Sequence, residues 1–512
     1  MKLSLVPHPR EGEAREGSVT LSSPVTVGCT PQWSAVVDVF AEDLQRSVGW
    51  EVRRVEFERD CDVRLELDAT LGPEDFTIRV VPGVEIGASG APGFAYALTL
   101  LRQLGPPQLW SREPAALACW TIPGLTIADG PAFAWRGAHL DVARHFFGVA
   151  AVTRLIDLLA AHRMNRLHLH LNDDQGWRIE VPQWPLLTTA GSERTGSPLG
   201  HQRDDRRDDV PHGGFYDAVD IATIVAHARR RHVVVVPEID LPGHAQAVLA
   251  AYPQFANTAK RAEVWTQWGI SERVLNVDPA TIDFAESVVR YVGALFGQSP
   301  VHIGGDECPT TEWAQSPAAL DIMRHHGFAN VGQLPRLYLE RLSAALKADG
   351  HEVLAWDEVL DAGATSGVTI CAWRGIERGV LAAERGFDVV MAPMDYLYFD
   401  WLSSASLDEP VAVALAPSIT TWEKVYSFEV IPRALHPSRA HHIRGAQVQI
   451  WTEYIDSLDR LDYMVFPRLS AFSEVVWGTS GDVKEFRTRL EDHLVRLQMM
   501  GVSYRPLDPM TP

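Results

Sequence analysis

Between residue 132 and the C-terminus, eight short apolar runs recur with helical stretches between them, and few architectures accept that rhythm. The runs lie at 137–143, 166–171, 233–240, 301–305, 353–358, 368–373, 388–393 and 445–451. Each is apolar along most of its length, which suits strands covered on both faces. Amphipathic runs at 150–163, 220–231, 284–296 and 338–348 fill most of the gaps. Eight parallel strands joined by helices predict an α/β fold, a (β/α)8 TIM barrel over residues 131–480. Residues 481–512 read as a terminal helix packed on the barrel.

The first 130 residues have a different texture and predict a smaller α+β domain. Candidate strands at 18–23, 52–57, 63–68, 76–81 and 84–88 carry β-branched, alternating residues. Helical patterns at 35–48 and 94–104 complete a sheet with helices on one face. The Pro-rich region 106–131 reads as the junction. A chain of 512 residues suits one large domain with a smaller partner. No repeat is present, and the charged stretch 203–209 reads as a solvated insertion.

Composition narrows the function classes. Hydrophobic residues make up 46% and charged residues 22%, and no apolar run is long enough to span a bilayer. A net charge of −20 argues against nucleic acid or an anionic membrane as partner. The five cysteines, Cys29, Cys61, Cys119, Cys308 and Cys371, are scattered, odd in number and never spaced C-x-x-C. Free thiols in a reducing compartment are expected, with neither a disulfide framework nor a structural zinc site. The first residues lack the long apolar core and small-residue cleavage site of a secretory signal. The expectation is a cytoplasmic protein, or one whose leader is not part of this chain.

In a barrel of this kind chemistry sits at the C-terminal strand ends. Arg144 follows the first run, and Asp173 and Asp174 the second. Asp240 and His244 close the third, and Asp306 and Glu307 the fourth. Trp356 and Trp373 end the fifth and sixth, Tyr398 and Asp400 follow the seventh, and Trp451 and Glu453 end the eighth. Carboxylates, aromatics and an arginine at one rim suit sugar hydrolysis, which needs a general acid and a second stabilising group. Asp306 and Glu307 are adjacent, so on a regular strand they would face opposite ways. Gly304 and Gly305 permit the turn that brings both into one site. Taken alone, such a pair is more often a polar turn.

A metal-dependent hydrolase is the rival class. His168 and His170 form an H-x-H on a strand, and His302 and Asp306 could add donors. Against it, the fifth and sixth strand ends carry Trp where further His ligands would be needed. A packed histidine pair is the ordinary alternative.

VHIGGDE, at 301–307, resembles the signature of glycoside hydrolase family 20, the β-N-acetylhexosaminidases. LDVARHFF, MNRLHLHLNDDQGWRIE, LAWDE, CAWRG, YLYFD and IWTEY are similar to that family's blocks and come in its order. The resemblance implies retaining, exo-acting hydrolysis of terminal β-linked N-acetylhexosamine, with the substrate's own acetamido oxygen as nucleophile. It needs no cofactor and no metal. It implies Glu307 as general acid and base in partly desolvated surroundings, Asp306 as partner of the acetamido N–H, and Tyr398 as donor to the acetamido oxygen. It further implies Trp356, Trp373 and Trp451 as walls of an acetyl pocket, and Arg144, Asp400 and Glu453 as ligands of ring hydroxyls. Asp173 and His244 would support Glu307, with Asp240 and Asp174 behind them and His302 orienting the turn. In the long loop 401–426, Trp422 has no assured counterpart in the family.

Overall fold

The computed structural model describes residues 3–57, 59–201, 206–364, 366–413 and 419–509. Part of the charged stretch at 203–209, and residues 414–418 of the loop after the seventh barrel strand, lie outside the described residues.

The N-terminal domain is built on a seven-stranded sheet: β1 (Glu11–Leu21), β2 (Val25–Gly28), β3 (Val52–Val55), β4 (Val63–Leu67), β5 (Phe76–Val80), β6 (Val84–Ala88) and β7 (Trp120–Asp129). The order is β1-β7-β5-β6-β4-β2-β3. Helices α1 (Ser34–Val48) and α2 (Ala91–Gln103) share its apolar core. The end of α1 is set by Gly49, whose left-handed φ of 70° lets its N–H return to Gln45 O.

Two strands escaped the sequence reading. β2 is only four residues long. β7 lies in the Pro-rich stretch read as a junction, and it carries Pro123 and Gly124, residues that strand interiors seldom hold. The sheet accommodates both. β5 meets β7 only over residues 125–129, so Pro123 lies past the end of that neighbour. On the other side β1 changes register between Ala14 and Ser18. Its carbonyls come so close there that a Cβ on Gly124 would lie 2.8 Å from Glu16 O.

All eight expected barrel strands form: β8 (Trp135–Asp141), β9 (Arg166–His170), β10 (Val234–Glu238), β11 (Val301–His302), β12 (Val353–Trp356), β13 (Thr369–Ala372), β14 (Val389–Met391) and β15 (Ile443–Val448). Each is parallel to its neighbours, and β15 pairs with β8 to close the barrel. Helices α3 (Val149–Ala161), α4 (Ala218–Arg230), α5 (Pro279–Phe296), α6 (Pro335–Ala348) and α7 (Ile376–Glu384) stand among those outside it. α4 starts at a capping box between Asp217 and Asp220. Inside the barrel, Trp135 of β8, Val236 of β10, Leu354 and Trp356 of β12, Cys371 of β13 and Val390 of β14 form an apolar cluster.

Two further helices, α8 (Arg468–Trp477) and α9 (Val483–Met499), complete the chain. α8 ends at the seam between domains, where Trp477 Nε1 donates to Asp129 Oδ1 at 2.8 Å. The Arg163 guanidinium meets the other oxygen of Asp129 at 2.6 Å, and both partners are buried.

Candidate active site

The backbone after β11 decides the site. Gly304 and Gly305 have φ of +64° and +97°, and Glu307 itself sits at 41°. A Cβ on Gly304 would lie 1.8 Å from Asp240 Oδ1, so no other residue fits there. The Gly305 N–H donates to that same oxygen at 2.8 Å, and the Gly304 N–H donates to His302 Nδ1 at 3.0 Å. The strand is thereby bent as the glycines predict, and Asp306 and Glu307 converge on one imidazole. His244 Nε2 is 3.8 Å from Asp306 Oδ2 and 3.7 Å from Glu307 Oε2.

The far side of His244 is held by Asp173, whose Oδ1 is 3.2 Å from Nδ1. Asp173 also takes Arg144 Nη2 at 2.9 Å and His170 Nε2 at 2.9 Å. Asp174 Oδ2 lies 3.8 Å from His244 Nδ1, and its carboxylate accepts the backbone N–H groups of Gln246 and Ser271, which ties two loops to the pair. Burial opposes charge on both members of the Asp173–His244 pair. The neighbouring charges win: Arg144 and His244 hold Asp173 far below the usual carboxylate range, and Asp173 holds His244 well above the usual imidazole range. His244 is an imidazolium facing both carboxyls.

Asp306 and Asp240 behave oppositely. Oxygens of both, with a nitrogen of His244, lie within 4.8 Å of one another. Burial and the charge of Asp240 push Asp306 well above the ordinary carboxylate range. Burial and Glu238 raise Asp240 to about 7, against the pull of His244. Two buried carboxyls this close hold one proton between them near neutrality.

Glu307 is the most open acid of the group, its side chain 34% exposed against 9% for Asp306. Its carboxyl is only partly covered, because it lines a cavity of about 610 Å3. Leu241, Asn330, Gln333, Leu339, Glu358 and Arg374 line the cavity with it.

The aromatic residues come together as expected, with one difference. Trp373 and Tyr398 stack at 6.2 Å between ring centroids, and Tyr398 and Trp451 lie 6.4 Å apart. Trp356 is wholly buried: its Nε1 donates to Glu238 at 2.7 Å, and its ring lies 6.2 Å from Trp451. It forms a floor, and Trp373 and Trp451 are the partly exposed walls. The Arg144 guanidinium sits over Trp451 at 5.1 Å and 3.9 Å from Glu453 Oε1. Asp400 is buried beside them, pushed well upward by burial and by Glu453. Trp422 lies elsewhere, buried against Phe486 of α9 at 5.7 Å.

The hydrogen bonds among the described residues leave over several buried polar atoms here: Asp240 Oδ2, Asp306 Oδ1, His244 Nε2, Asp400 Oδ1 and Glu453 Oε2. Such atoms are costly unless something satisfies them, and a sugar's amide and hydroxyls would do so.

Of the four residues weighed for a metal, the three histidines meet at one carboxylate and Asp306 stands apart. His168 and His170 point the same way, as alternation requires, but their target is Glu238, at 3.1 and 2.6 Å. His302 Nδ1 approaches the same carboxylate at 3.0 Å, and Asp306 is not among this group. Glu238 and Glu358 are the acids that sequence reasoning overlooked. Glu238 had a signal, a carboxylate inside an apolar strand two positions before Asp240. Glu358, which accepts from Trp373 Nε1 at 3.1 Å, had only its place after Trp356.

A (β/α)8 barrel whose rim gathers buried carboxyls, an arginine and aromatic walls around one small polar recess defines a carbohydrate hydrolase. Residues 133–480 match the glycosyl hydrolase family 20 catalytic domain, and residues 2–130 match domain 2 of the same family. A β-hexosaminidase of Porphyromonas gingivalis is 35% identical over 82% of this chain, which spans 53% of that protein's length. A β-hexosaminidase of Akkermansia muciniphila is 30% identical, covering 93% of each. Among solved structures, the family 20 exo-β-N-acetylglucosaminidase of Vibrio harveyi, in complex with N-acetylglucosamine, superposes with a TM-score of 0.86 at 29% identity. That match covers 98% of this chain and 78% of the other. The family 20 β-N-acetylhexosaminidase of Streptomyces coelicolor gives 0.85 at 28% identity, covering 100% and 98%. The chain belongs to glycosyl hydrolase family 20 and is a glycoside hydrolase of the β-N-acetylhexosaminidase class.

Proposed function

We propose that the chain is an exo-acting, retaining enzyme that removes terminal β-linked N-acetylglucosamine or N-acetylgalactosamine by substrate-assisted catalysis. The observation that carries this reading is the pairing of a buried Asp306 with an outward-facing Glu307 on a single turn. An acid held inside the sugar recess suits the acetamido N–H. An acid at the mouth of a cavity suits the leaving oxygen.

In the first step the acetamido oxygen attacks the anomeric carbon while the glycosidic C–O bond breaks. The leaving oxygen takes the proton of Glu307. Asp306 accepts a hydrogen bond from the acetamido N–H and offsets positive charge on the oxazolinium. Tyr398 donates to the acetamido oxygen and keeps it in line, with Trp373 and Trp451 enclosing the methyl group. An intramolecular nucleophile so held has a large proximity advantage. In the second step Glu307 takes a proton from water, which adds to the anomeric carbon and reopens the ring with net retention. Arg144, Asp400 and Glu453 bind ring hydroxyls through charge-assisted hydrogen bonds. Asp173 and His244 position both acids.

The test is release of nitrophenol from para-nitrophenyl β-glycosides of N-acetylglucosamine and of glucose, with and without EDTA. The expected result is activity on the acetamido sugar alone, unaffected by EDTA, and reduced by about 10²-fold or more in Glu307→Gln. Activity on the plain glucoside would rule out the acetamido nucleophile, and loss with EDTA would restore the metal reading.

A further inference from the structure

A second cavity, of about 500 Å3, lies between the domains, and none of the residues placed in the active site lines it. Its walls come from α1 and α2, from the turn Pro107–Trp110, from α3, and from the end of α4. Val36, Phe40, Leu98, Trp110, Leu158 and Met500 give it an apolar interior.

Its charge runs against that of the whole chain. The protein carries −20, yet Arg46, Arg102, Arg112, Arg154, Arg230 and Arg231 line this cavity against only Asp43 and Asp157. Asp43 is shared by Arg46, Arg102 and Arg231, at 2.6 to 2.9 Å. Arg154 and Arg230 reach outward to Asp462 and Glu42. Arg112 makes no ion pair among the described residues.

Two of the lining side chains are more than nine-tenths buried yet leave a donor unsatisfied, Arg102 Nε and Trp110 Nε1. They belong to one unit, since the Arg102 guanidinium stacks on the Trp110 ring at 4.1 Å. Burial depresses the Arg102 guanidinium, Asp43 opposes this, and the charges of Arg231 and Arg46 add to the depression. Six arginines around an apolar floor outnumber the two carboxylates of the lining, an arrangement that favours an added anion. The volume is that of an ordinary small-molecule site.

We propose that this cavity binds a small amphipathic anion, an aromatic or short acyl body carrying a phosphate, sulfate or carboxylate. The apolar body lies between Phe40, Leu98 and Trp110, and the anion faces Arg102 and Arg112.

Titration calorimetry of the full chain with naphthyl phosphate tests this. The expected result is one-to-one binding that persists when N-acetylglucosamine saturates the active site. Thr99→Trp, which fills the cavity from α2, abolishes it, and Arg112→Glu weakens it by roughly tenfold or more. Both variants keep wild-type hydrolysis of the chromogenic N-acetylglucosaminide, which checks their fold independently of this ligand. Sedimentation with phosphatidylglycerol vesicles that both variants lose would place the anion on a lipid headgroup. Its absence beside naphthyl phosphate binding would mean a free small molecule. Absence of binding to either probe, binding that survives in both variants, or equal affinity for neutral naphthol would overturn the proposal.

Discussion

At the scale of single residues, the site is organised by how buried charges share protons. Asp240 is raised to about 7 by burial and Glu238, and Asp306 is raised well above its usual range by burial and the charge of Asp240. In the proposed mechanism Asp306 works as a carboxylate, so the proton shared by the pair opposes activity. As pH falls through neutrality the pair gains that proton and kcat/KM declines. Asp240→Asn removes a neighbouring negative charge, which lets Asp306 ionise at lower pH. The acid limb of the kcat/KM profile is therefore expected to move to lower pH in this variant. An unmoved limb would mean that the pair does not govern the acid side. The positions of Arg144, Asp173, His244, Asp306, Glu307, Tyr398, Trp451 and Glu453 at one rim were legible because strand ends can be read from hydrophobic runs. The partners of Glu238 were not, since which imidazoles meet inside a barrel depends on register between strands distant in sequence. Trp356 shows the same limit: sequence marks a strand end but not how deep a side chain sinks below it.

At the scale of elements, the eight apolar runs all became strands, because a strand covered on both faces leaves an uninterrupted signal. β7 failed that test, since its Pro and Gly are tolerated only where a neighbour ends and another bulges. The turn after β11 was legible for the opposite reason: Gly-Gly before an acidic pair admits few conformations. The structure makes that requirement strict at Gly304, through both its positive φ and the oxygen of Asp240 beside it. Gly304→Ala should destabilise the fold by about 1–3 kcal/mol from the strained backbone, with the collision with Asp240 adding to this. Because the same turn aims both acids, activity should fall far more than thermal stability does. Differential scanning calorimetry beside kcat/KM checks this. A variant with lowered Tm but undiminished kcat/KM would show that the turn does not set catalytic geometry.

At the scale of the molecule, the two domains and the terminal helix close on one another through buried polar contacts. Around the seam, Asp129 joins Arg163 and Trp477. Beneath α9, His493 and His162 meet Nε2 to Nε2 at 3.0 Å, and His162 also contacts Ser470 of α8 at 3.0 Å. Burial lowers His162 to about 4, and burial with the charge of His162 holds His493 well below the usual imidazole range. Both groups are therefore neutral in the folded chain while an unfolded imidazole titrates near ~6.5. Above that value they cost nothing. As pH falls from about 6.5 toward 4 the unfolded chain takes up protons that the folded chain refuses, so stability declines across that window. Local opening of α9 frees His493 alone and needs less than global unfolding. The open fraction of residues 483–499, taken as the hydrogen-exchange rate divided by the intrinsic amide rate at each pH, should therefore rise between pH 6.5 and pH 4 before it rises in the barrel strands. His493→Phe keeps the ring but removes the titration, and should flatten that rise. Exchange in α9 that tracks the barrel strands at every pH would show that the helix leaves only with the whole fold.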